Sequence, residues 1–330
     1  MKSRQNLVTA VVIRFPSITG RQLRESQITT TRESRHLSLL KLFSRGSLKG
    51  YKPSRLKISM IFSLAFSLRV KDEVIVQPFS SKVSRMILAQ LYPHYLKSTD
   101  SPGPKPHRVT ALRDRRPLFS TGKNVLRLYP GKEYTFYLTS LEQVLAEEVL
   151  KNPSGTVRVY HTEGKVELNQ VKYVQVESLA LEDSRTYVVR FLTPTLLQPP
   201  RPSFKRRRNR YVLFPYSPLL LTSLAVHWNA FSHVKVNGVG GLRALYYFRE
   251  VGYNLTPITV PYEQGTVRGF VGWTKFSLDA RRSSGFREKV RTLLGYGNFM
   301  GVGKSRSIGF GEIEAFPWRA RGEGEETDRT

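Results

Sequence analysis

An order of strands and helices that occurs twice along the chain constrains the fold more than any other feature of this sequence. In the first half, Ile58 to Val70 reads as a strand, and Ser80 can begin a helix whose apolar residues recur at helical spacing until Pro93. The other elements predicted in this half are strands at 108–112, 124–128 and 133–139, a helix at 140–150, and strands at 156–161 and 166–179. This is the order of a βαββαβ-like unit.

A second unit of the same kind begins at Thr186, where a strand runs into a proline- and arginine-rich linker. The elements predicted after the linker are a helix at 217–233, strands at 242–247 and 267–278, a helix at 285–294 and a strand at 308–316. Two similar α+β units in tandem are therefore predicted, one at 59–182 and one at 183–318.

The two ends of the chain are expected to lie outside these units. Residues 1–58 combine Arg and Ser with few acidic residues and no sustained periodicity, and residues 319–330 are predicted to form a flexible tail. For the first segment two interpretations stay open: a targeting or disordered extension, and a start codon assigned too early, because Met60 opens the first convincing strand.

Composition excludes several classes of protein. Forty per cent of the 330 residues are hydrophobic, which is enough to build a core, yet no apolar run approaches the roughly 20 residues of a membrane span. The absence of cysteine excludes thiol nucleophiles, disulfide scaffolds and iron–sulfur clusters. The six histidines show neither H-E-x-x-H nor a close pair with carboxylates, so no metal and no cofactor are expected.

The net charge points to a polyanionic partner. Lys and Arg number 53 against 25 Asp and Glu, which gives +28. This surplus extends beyond the first 59 residues into the predicted units, and nucleic acid is the first candidate. Ribosomal proteins and proteins of anionic membrane surfaces share this property, so charge alone does not define a function.

A glycine-rich stretch near the C-terminus, YGNFMGVGKSRSIGFGEIEA, almost matches a phosphate-binding loop. In G-x-x-x-x-G-K-[ST] the first glycine would fall on Asn298, whereas Gly297 stands one position too early, and no parallel strand follows. Two interpretations stay open. Exposed backbone N–H groups beside Lys304 and Arg306 could hold an RNA phosphate, or the glycines could form a tight turn that packs a helix end onto the last strand.

Four segments in this order resemble one known family: QPFSSKVSRMIL, VVRFLTPTLLQPP, VRGFVGWTKF and FMGVGKSRSIGFGEIEA. They are similar to the Cas6 family of CRISPR-associated repeat-processing endoribonucleases, in the RAMP superfamily, and most similar to its crenarchaeal members. The resemblance implies tandem ferredoxin-like (RRM-like) domains and a cytoplasmic protein of antiviral defence with a basic face that binds CRISPR repeat RNA. It also implies metal-independent cleavage of precursor CRISPR RNA by ribose 2′-OH attack, which leaves a 2′,3′-cyclic phosphate and a 5′-OH.

The catalytic residues expected from this resemblance are mostly basic, because the histidine that many members carry after the first strand is absent here. Lys82 and Arg85 are three residues apart and so share a helix face, opposite the apolar stripe. Lys105 and Arg268 fall on matching basic positions, and His107 is the histidine to test as an acid or base. The alternatives are a solvated helix face, a surface loop around His107 and a strand-edge arginine.

Two further groups of residues are predicted to bind RNA. One is in the glycine-rich stretch: Gly301, Gly303, Lys304, Ser305 and Arg306. The other is in the linker, flanked by aromatic residues: Lys205, Arg206, Arg207, Arg208 and Arg210. The linker could equally be a charged loop that binds no RNA.

Two other functions compete with the endoribonuclease. One is a non-catalytic RNA-binding subunit of a CRISPR effector complex, and the other is a ribosomal or membrane-surface basic protein, which the ordered motifs disfavour. Subunits of an effector complex and a second copy of the chain stay open as partners besides the RNA.

Overall fold

The computed structural model describes residues 11–14, 59–200 and 210–319, which contain two consecutive α+β units. The first unit has an edge strand, β1 (Val11–Arg14), which is described below. Its other strands are β2 (Met60–Val70), β3 (Val74–Val76), β4 (His107–Val109), β5 (Leu126–Leu128), β6 (Glu133–Ser140), β7 (Ser154–Val159) and β8 (Thr162–Gln175). Its helices are α1 (Ser81–Leu91), α2 (Pro93–Asp100) and α3 (Gln143–Lys151).

The main sheet of this unit contains the strand order β8-β2-β6-β4, and all its pairs are antiparallel. With α1 and α3 as the crossover helices, this is the arrangement of a ferredoxin-like fold. Alternate residues of β2 and β6, such as Leu64, Phe66 and Phe136, are buried against the apolar faces of α1 and α3. The βαββαβ-like unit expected from the pattern is confirmed.

A four-residue strand, β1 (Val11–Arg14), pairs antiparallel with β8 at the edge of this sheet. No secondary structure is predicted for residues 1–58, so this strand differs from the expectation. The rest of that segment lies outside the described residues.

The second unit repeats the arrangement. Its strands are β9 (Thr186–Thr195), β10 (Phe248–Tyr262), β11 (Gly265–Leu278) and β12 (Ile313–Pro317), and its helices are α4 (Ser217–Phe231), α5 (Gly241–Tyr247) and α6 (Gly285–Met300). The sheet order is β10-β11-β9-β12, again antiparallel throughout. Tandem ferredoxin-like domains are thus confirmed, while the exact domain limits remain a prediction.

One predicted element of this unit is wrong, and one strand of the structure was not predicted. Residues 241–247 form helix α5 instead of a strand, since a short apolar run with Leu, Arg and Ala fits either structure. The strand β10 was missed because Pro257 and Pro261 interrupt its pattern. β10 is an edge strand, and there proline is tolerated because one side of the strand needs no hydrogen-bond donor.

The two domains meet along a zone that we call the seam, formed by the start of α1, β4, the glycine loop 301–311 and the tip of the β10–β11 hairpin. A small apolar cluster lies at its centre, where the rings of Phe79 and Phe310 stack with centroids 4.2 Å apart. The Ser81 hydroxyl donates to the Ile308 carbonyl at 2.6 Å and so connects α1 to the glycine loop. Side chains from both domains are therefore held in fixed positions at the seam.

Candidate active site

Helix α1 carries Lys82 and Arg85 in its first two turns, as predicted. Both are half-exposed, and Lys82 has no side-chain partner among the described residues. Ser80 is at the N-cap position, but its hydroxyl donates to the Leu118 carbonyl at 2.6 Å instead of capping the helix, and the first turn contains no acidic residue. Cations near the positive end of a helix dipole cost about 0.3 to 1 kcal/mol each, a cost that an approaching phosphate would offset.

Arg85 reaches across the seam to the other domain. Its Nη1 donates to the hydroxyl of Tyr262 at 2.8 Å, and its buried Nε has no partner among the described residues. Burial raises the pKa of Tyr262, so this hydroxyl stays protonated at neutral pH. Tyr262 was not predicted as a site residue, since its contact with Arg85 spans 177 residues and no local pattern marks it.

His107 is fully buried in β4, so the surface-loop alternative for this residue is wrong. Its Nδ1 lies 3.2 Å from the Ser98 hydroxyl, its ring centroid lies 4.9 Å from that of Tyr95, and its Nε2 has no partner among the described residues. Burial first, and then the nearby charges of Lys105 and Arg85, lower the pKa of His107 to about 4. The imidazole is therefore neutral at pH 7 and does not face solvent.

Lys105 lies near His107, and its backbone is held by the second domain. His227 Nε2 lies 3.0 Å from the Lys105 carbonyl oxygen, and His227 Nδ1 lies 2.7 Å from the hydroxyl of Tyr296. A carbonyl only accepts, so Nε2 carries the proton and Tyr296 donates to Nδ1. Burial and the nearby Arg306 keep the pKa of His227 well below its usual value. This neutral chain of hydrogen bonds fixes the segment that carries Lys105.

The glycine loop uses most of its backbone donors internally. The N–H groups of residues 301 to 304 donate, in order, to the Gly297 carbonyl, the Gly311 carbonyl, the Ser223 hydroxyl and the Leu196 carbonyl. Gly301 and Gly303 both have positive φ, and a Cβ at Gly303 would lie 2.6 Å from the Leu196 oxygen. The expectation that these N–H groups are exposed to an RNA phosphate is wrong, because tight packing against neighbouring backbone engages them.

Arg306 stabilises the same loop from within. Its guanidinium donates to the carbonyls of Gly301 and Gly303, and to both the carbonyl and the hydroxyl of Ser223, at 3.0 to 3.3 Å. Burial lowers its pKa to about 10, so it remains charged at neutral pH. The donors that Arg306 could offer to RNA are thus largely occupied by the protein.

Lys304 and Ser305 differ from Arg306. Both are exposed, and neither the Lys304 ammonium nor the Ser305 backbone N–H has a partner among the residues that the structure describes. Lys304 lines a cavity of about 340 Å³ with Gly303, Arg306 and the first two prolines of the linker, Pro199 and Pro200. The glycine loop therefore keeps one lysine and one serine available at the base of the linker.

The remaining predicted residues are separate from this group. Arg268 pairs with Thr259 on the hairpin, while the adjacent pair of Val260 and Val267 packs into the apolar cluster of the seam. Side chains alternate along a strand, so the exposed Arg268 points away from that cluster and from the Arg85–Tyr262 contact. Arg210 is exposed, and Lys205, Arg206, Arg207 and Arg208 lie outside the described residues.

A buried ionic triad lies beneath these cations and joins the two domains. Glu312 contacts Arg108 at 3.3 Å and also pairs with Arg113, and Arg108 and Glu312 are almost fully buried. Burial lowers the pKa of Arg108 despite the neighbouring carboxylate. None of these three residues was predicted, since the triad forms only when β4 and the end of the glycine loop come together.

The described ranges contain neither a candidate metal site nor a candidate membrane-spanning helix. Within residues 11–14, 59–200 and 210–319, no group of three or more His, Cys, Asp or Glu side chains is arranged to hold a metal ion. No helix in the same part of the chain is long and apolar enough to cross a membrane.

Two ferredoxin-like domains with basic side chains gathered at their seam define the class of protein. Two family models match consecutive parts of the chain: the Cas6 N-terminal domain matches residues 62–174, and the CRISPR-associated endoribonuclease Cas6 matches residues 189–313. Together they match more than half of the chain, which belongs to the Cas6 family of CRISPR-associated endoribonucleases. The predicted family and the expectation of an endoribonuclease are confirmed at this level.

Individual relatives agree with this assignment. The chain is 26% identical over 284 residues to the CRISPR-associated endoribonuclease Cas6 1 of Saccharolobus solfataricus, across 77% of this chain and 96% of the relative. A second Cas6 of the same organism is 26% identical over 282 residues. In fold, Thermus thermophilus Cas6 superposes with a TM-score of 0.56 at 21% identity, over 78% of this chain and 99% of that one. A Cas6 product complex gives a TM-score of 0.55 at 20% identity, over 78% and 100%.

Proposed function

We propose that the protein binds CRISPR repeat RNA across the seam and cleaves precursor CRISPR RNA without a metal ion. The observation that carries this proposal is that Lys82 and Arg85 lie at the start of α1, which Ser81 joins to the glycine loop, and that Arg85 contacts Tyr262 of the second domain. Lys105 lies two residues before the buried His107 of β4. In a Cas6-family chain, half-exposed cations without carboxylate partners fit an RNA phosphate better than a structural role.

The reaction needs no protein nucleophile. The ribose 2′-oxygen loses its proton and forms a bond to the adjacent phosphorus, the bond from phosphorus to the 5′-oxygen breaks, and that oxygen takes up a proton. The products are a 2′,3′-cyclic phosphate and a 5′-OH. The protein has to hold the nucleotide in line and neutralise the charge that develops on the phosphorane.

The residues of the seam divide these tasks. Lys82 and Arg85 supply positive charge at the phosphate, and Lys105 supplies a third cation on a segment held by His227. Tyr262 orients Arg85 and presents a protonated hydroxyl next to it. His107 has a structural role in this proposal: its ring is buried and neutral, so it helps to hold the site in place and does not contact the substrate.

The test mixes the purified full chain with end-labelled repeat RNA in EDTA, next to the same RNA with a 2′-deoxy nucleotide at the cleavage site. We expect site-specific cutting of the all-ribose RNA only, with a cyclic phosphate on the 5′ fragment. Cutting of both substrates, or cutting only after a divalent metal is added, would contradict the mechanism.

The second candidate is a non-catalytic RNA-binding subunit of a CRISPR effector complex. The observation that favours it is the burial of His107, which leaves the seam without an accessible histidine. Tight binding of intact repeat RNA in the same assay, with no product formed, would support this candidate.

A further inference from the structure

A second cavity lies at the end of the C-terminal domain that is far from the glycine loop. We call it the far pocket; its volume is about 720 Å³, and it is lined by α5, the start of β10 and the connection from β11 to α6. Helix α6 begins at Gly285 beside the far pocket and ends at Met300, where the glycine loop starts. At 1.5 Å per residue, this 16-residue helix separates the two sites by about 24 Å.

The charges lining the far pocket are mostly positive. Arg243, Arg249 and Arg281 face one carboxylate, that of Asp279. Asp279 is already engaged, because Arg249 donates to its Oδ2 from Nη2 at 2.7 Å and Ser277 donates to its Oδ1 at 2.6 Å. The side chains of Arg243 and Arg281 have no partner among the described residues, so two guanidinium groups remain available for an anion.

An exposed aromatic residue stands next to these arginines. The Tyr246 side chain is 72% exposed, although it lines the cavity, and its ring meets that of Tyr247 edge-on at 4.9 Å. A tyrosine held against a second ring presents a rigid flat face at little cost in conformational entropy. Aromatic faces beside uncommitted cations are the arrangement that binds unpaired nucleotides, through base stacking and phosphate contacts.

We propose that the far pocket binds unpaired RNA, with a base stacked on Tyr246 and phosphates on Arg243 and Arg281. The inference rests on the proposed function in that RNA is the ligand. It adds a contact about 24 Å from the seam, for a strand that extends beyond the cleavage site. The pocket lies on the second domain alone, so this binding does not require a catalytically competent seam.

The test measures the affinity of the full chain for fluorescein-labelled U20 RNA by anisotropy at several salt concentrations. The charge variant is Arg243→Ala/Arg281→Ala, and its matched control is Lys97→Ala/Lys151→Ala, two exposed lysines of the first domain with no described partner. We expect the charge variant to bind about tenfold more weakly than the control, with a log–log salt slope lower by about 1.4 for two lost phosphate contacts.

The stacking variant is Tyr246→Ala, which should weaken U20 binding about fivefold or more, whereas Tyr246→Phe should retain the affinity. Photocrosslinking with 4-thiouridine in place of uridine should label Tyr246 or Tyr247 in the wild-type chain. Equal affinity and salt slope in the charge variant and its control, with no crosslink at the pocket, would overturn the inference and favour a protein partner for this face.

The same preparations are assayed for repeat cleavage, which separates the two proposals. If the far pocket is needed for U20 binding but the chain does not cut repeat RNA, only the proposed function is contradicted. If the chain cuts repeat RNA normally but its U20 binding does not depend on the far pocket, only the inference about the far pocket is contradicted.

Discussion

Two sets of cations occupy the seam, and the protein uses them in opposite ways. The inner set, Arg108, Arg113 and Arg306, is engaged by Glu312 and by backbone carbonyls. The outer set, Lys82, Arg85 and Lys304, has few protein acceptors or none. Basic residues of the same seam thus have two roles: some stabilise the domain junction, and others stay available to a ligand. The two roles differ in how many side-chain N–H donors have no acceptor in the protein.

Removal of the acceptor of the inner set should have the largest effect. Glu312→Gln leaves the buried Arg108 and the half-buried Arg113 without a compensating charge, so we expect the free energy of unfolding to fall by about 3 to 5 kcal/mol in urea titrations. The matched control is Glu314→Gln, whose pair with Arg190 is exposed and should contribute at most about 1 kcal/mol. Equal losses in the two variants would contradict the assignment of Glu312 to the inner set.

Arg306→Ala should be the next most destabilising change. It leaves the carbonyls of the glycine loop and the Ser223 hydroxyl without their donor, and we expect a loss of about 3 kcal/mol by chemical denaturation. A stable Arg306→Ala protein that binds RNA more weakly would move this residue to the outer set.

Acid should destabilise the fold between about pH 6.5 and pH 4. In this range an unfolded His107 takes up a proton, whereas the folded residue, with a pKa of about 4, does not. Stability is therefore complete above pH 6.5 and declines as the pH falls, by roughly 3 kcal/mol for this residue at pH 4. His227, whose pKa is also lowered, adds an effect of the same sign. Unfolding titrations at several pH values should show a shallower decline in His107→Gln, and an unchanged slope would contradict the burial of a neutral imidazole.

Arg85→Ala tests the outer set in the chemical step. We expect cutting of repeat RNA to slow about 100-fold in single-turnover assays, with the unfolding midpoint nearly unchanged, because one positioned charge at the phosphate is lost. Tyr262→Phe removes only the hydroxyl that accepts from Arg85 and should have a smaller effect. If Arg85→Ala cuts as fast as the wild type, Arg85 at the seam does not contribute to the cleavage reaction.

Lys304→Ala should have the smallest effect. The ammonium is exposed and without a described partner, so stability should stay within about 0.5 kcal/mol of the wild type. Affinity for repeat RNA should fall a few-fold, and the salt slope should fall by about 1, as for one lost phosphate contact. A loss of stability similar to that of Arg306→Ala would place Lys304 in the inner set and weaken the comparison.

The sequence indicates local features of the site better than its long-range contacts. The helix face with Lys82 and Arg85 follows from spacing, and the tight glycine turn was one of two open interpretations. Arg306 looked like an RNA ligand because its acceptor Ser223 lies 83 residues away and belongs to another helix. His107 looked exposed because the burial of β4 depends on packing from both domains.

The strand β10 could not be predicted for a similar reason. A strand that contains two prolines and several exposed polar residues gives no alternating pattern, and only its place at the sheet edge makes it admissible. The repeated order of elements predicts a second unit, and the family resemblance implies that it is ferredoxin-like, although one of its strands could not be predicted locally.

The same edge strand has a consequence for the molecule in a crowded cell. Among the described residues no strand pairs with the outer side of β10, and a 15-residue border of this kind would invite a second copy to continue the sheet. Repeated additions of this kind lead to insoluble assemblies. Pro257 and Pro261 each remove a hydrogen-bond donor from β10, so an incoming strand finds an incomplete template there. The two prolines that hide this strand from pattern analysis thus also make its edge a poor template for another strand.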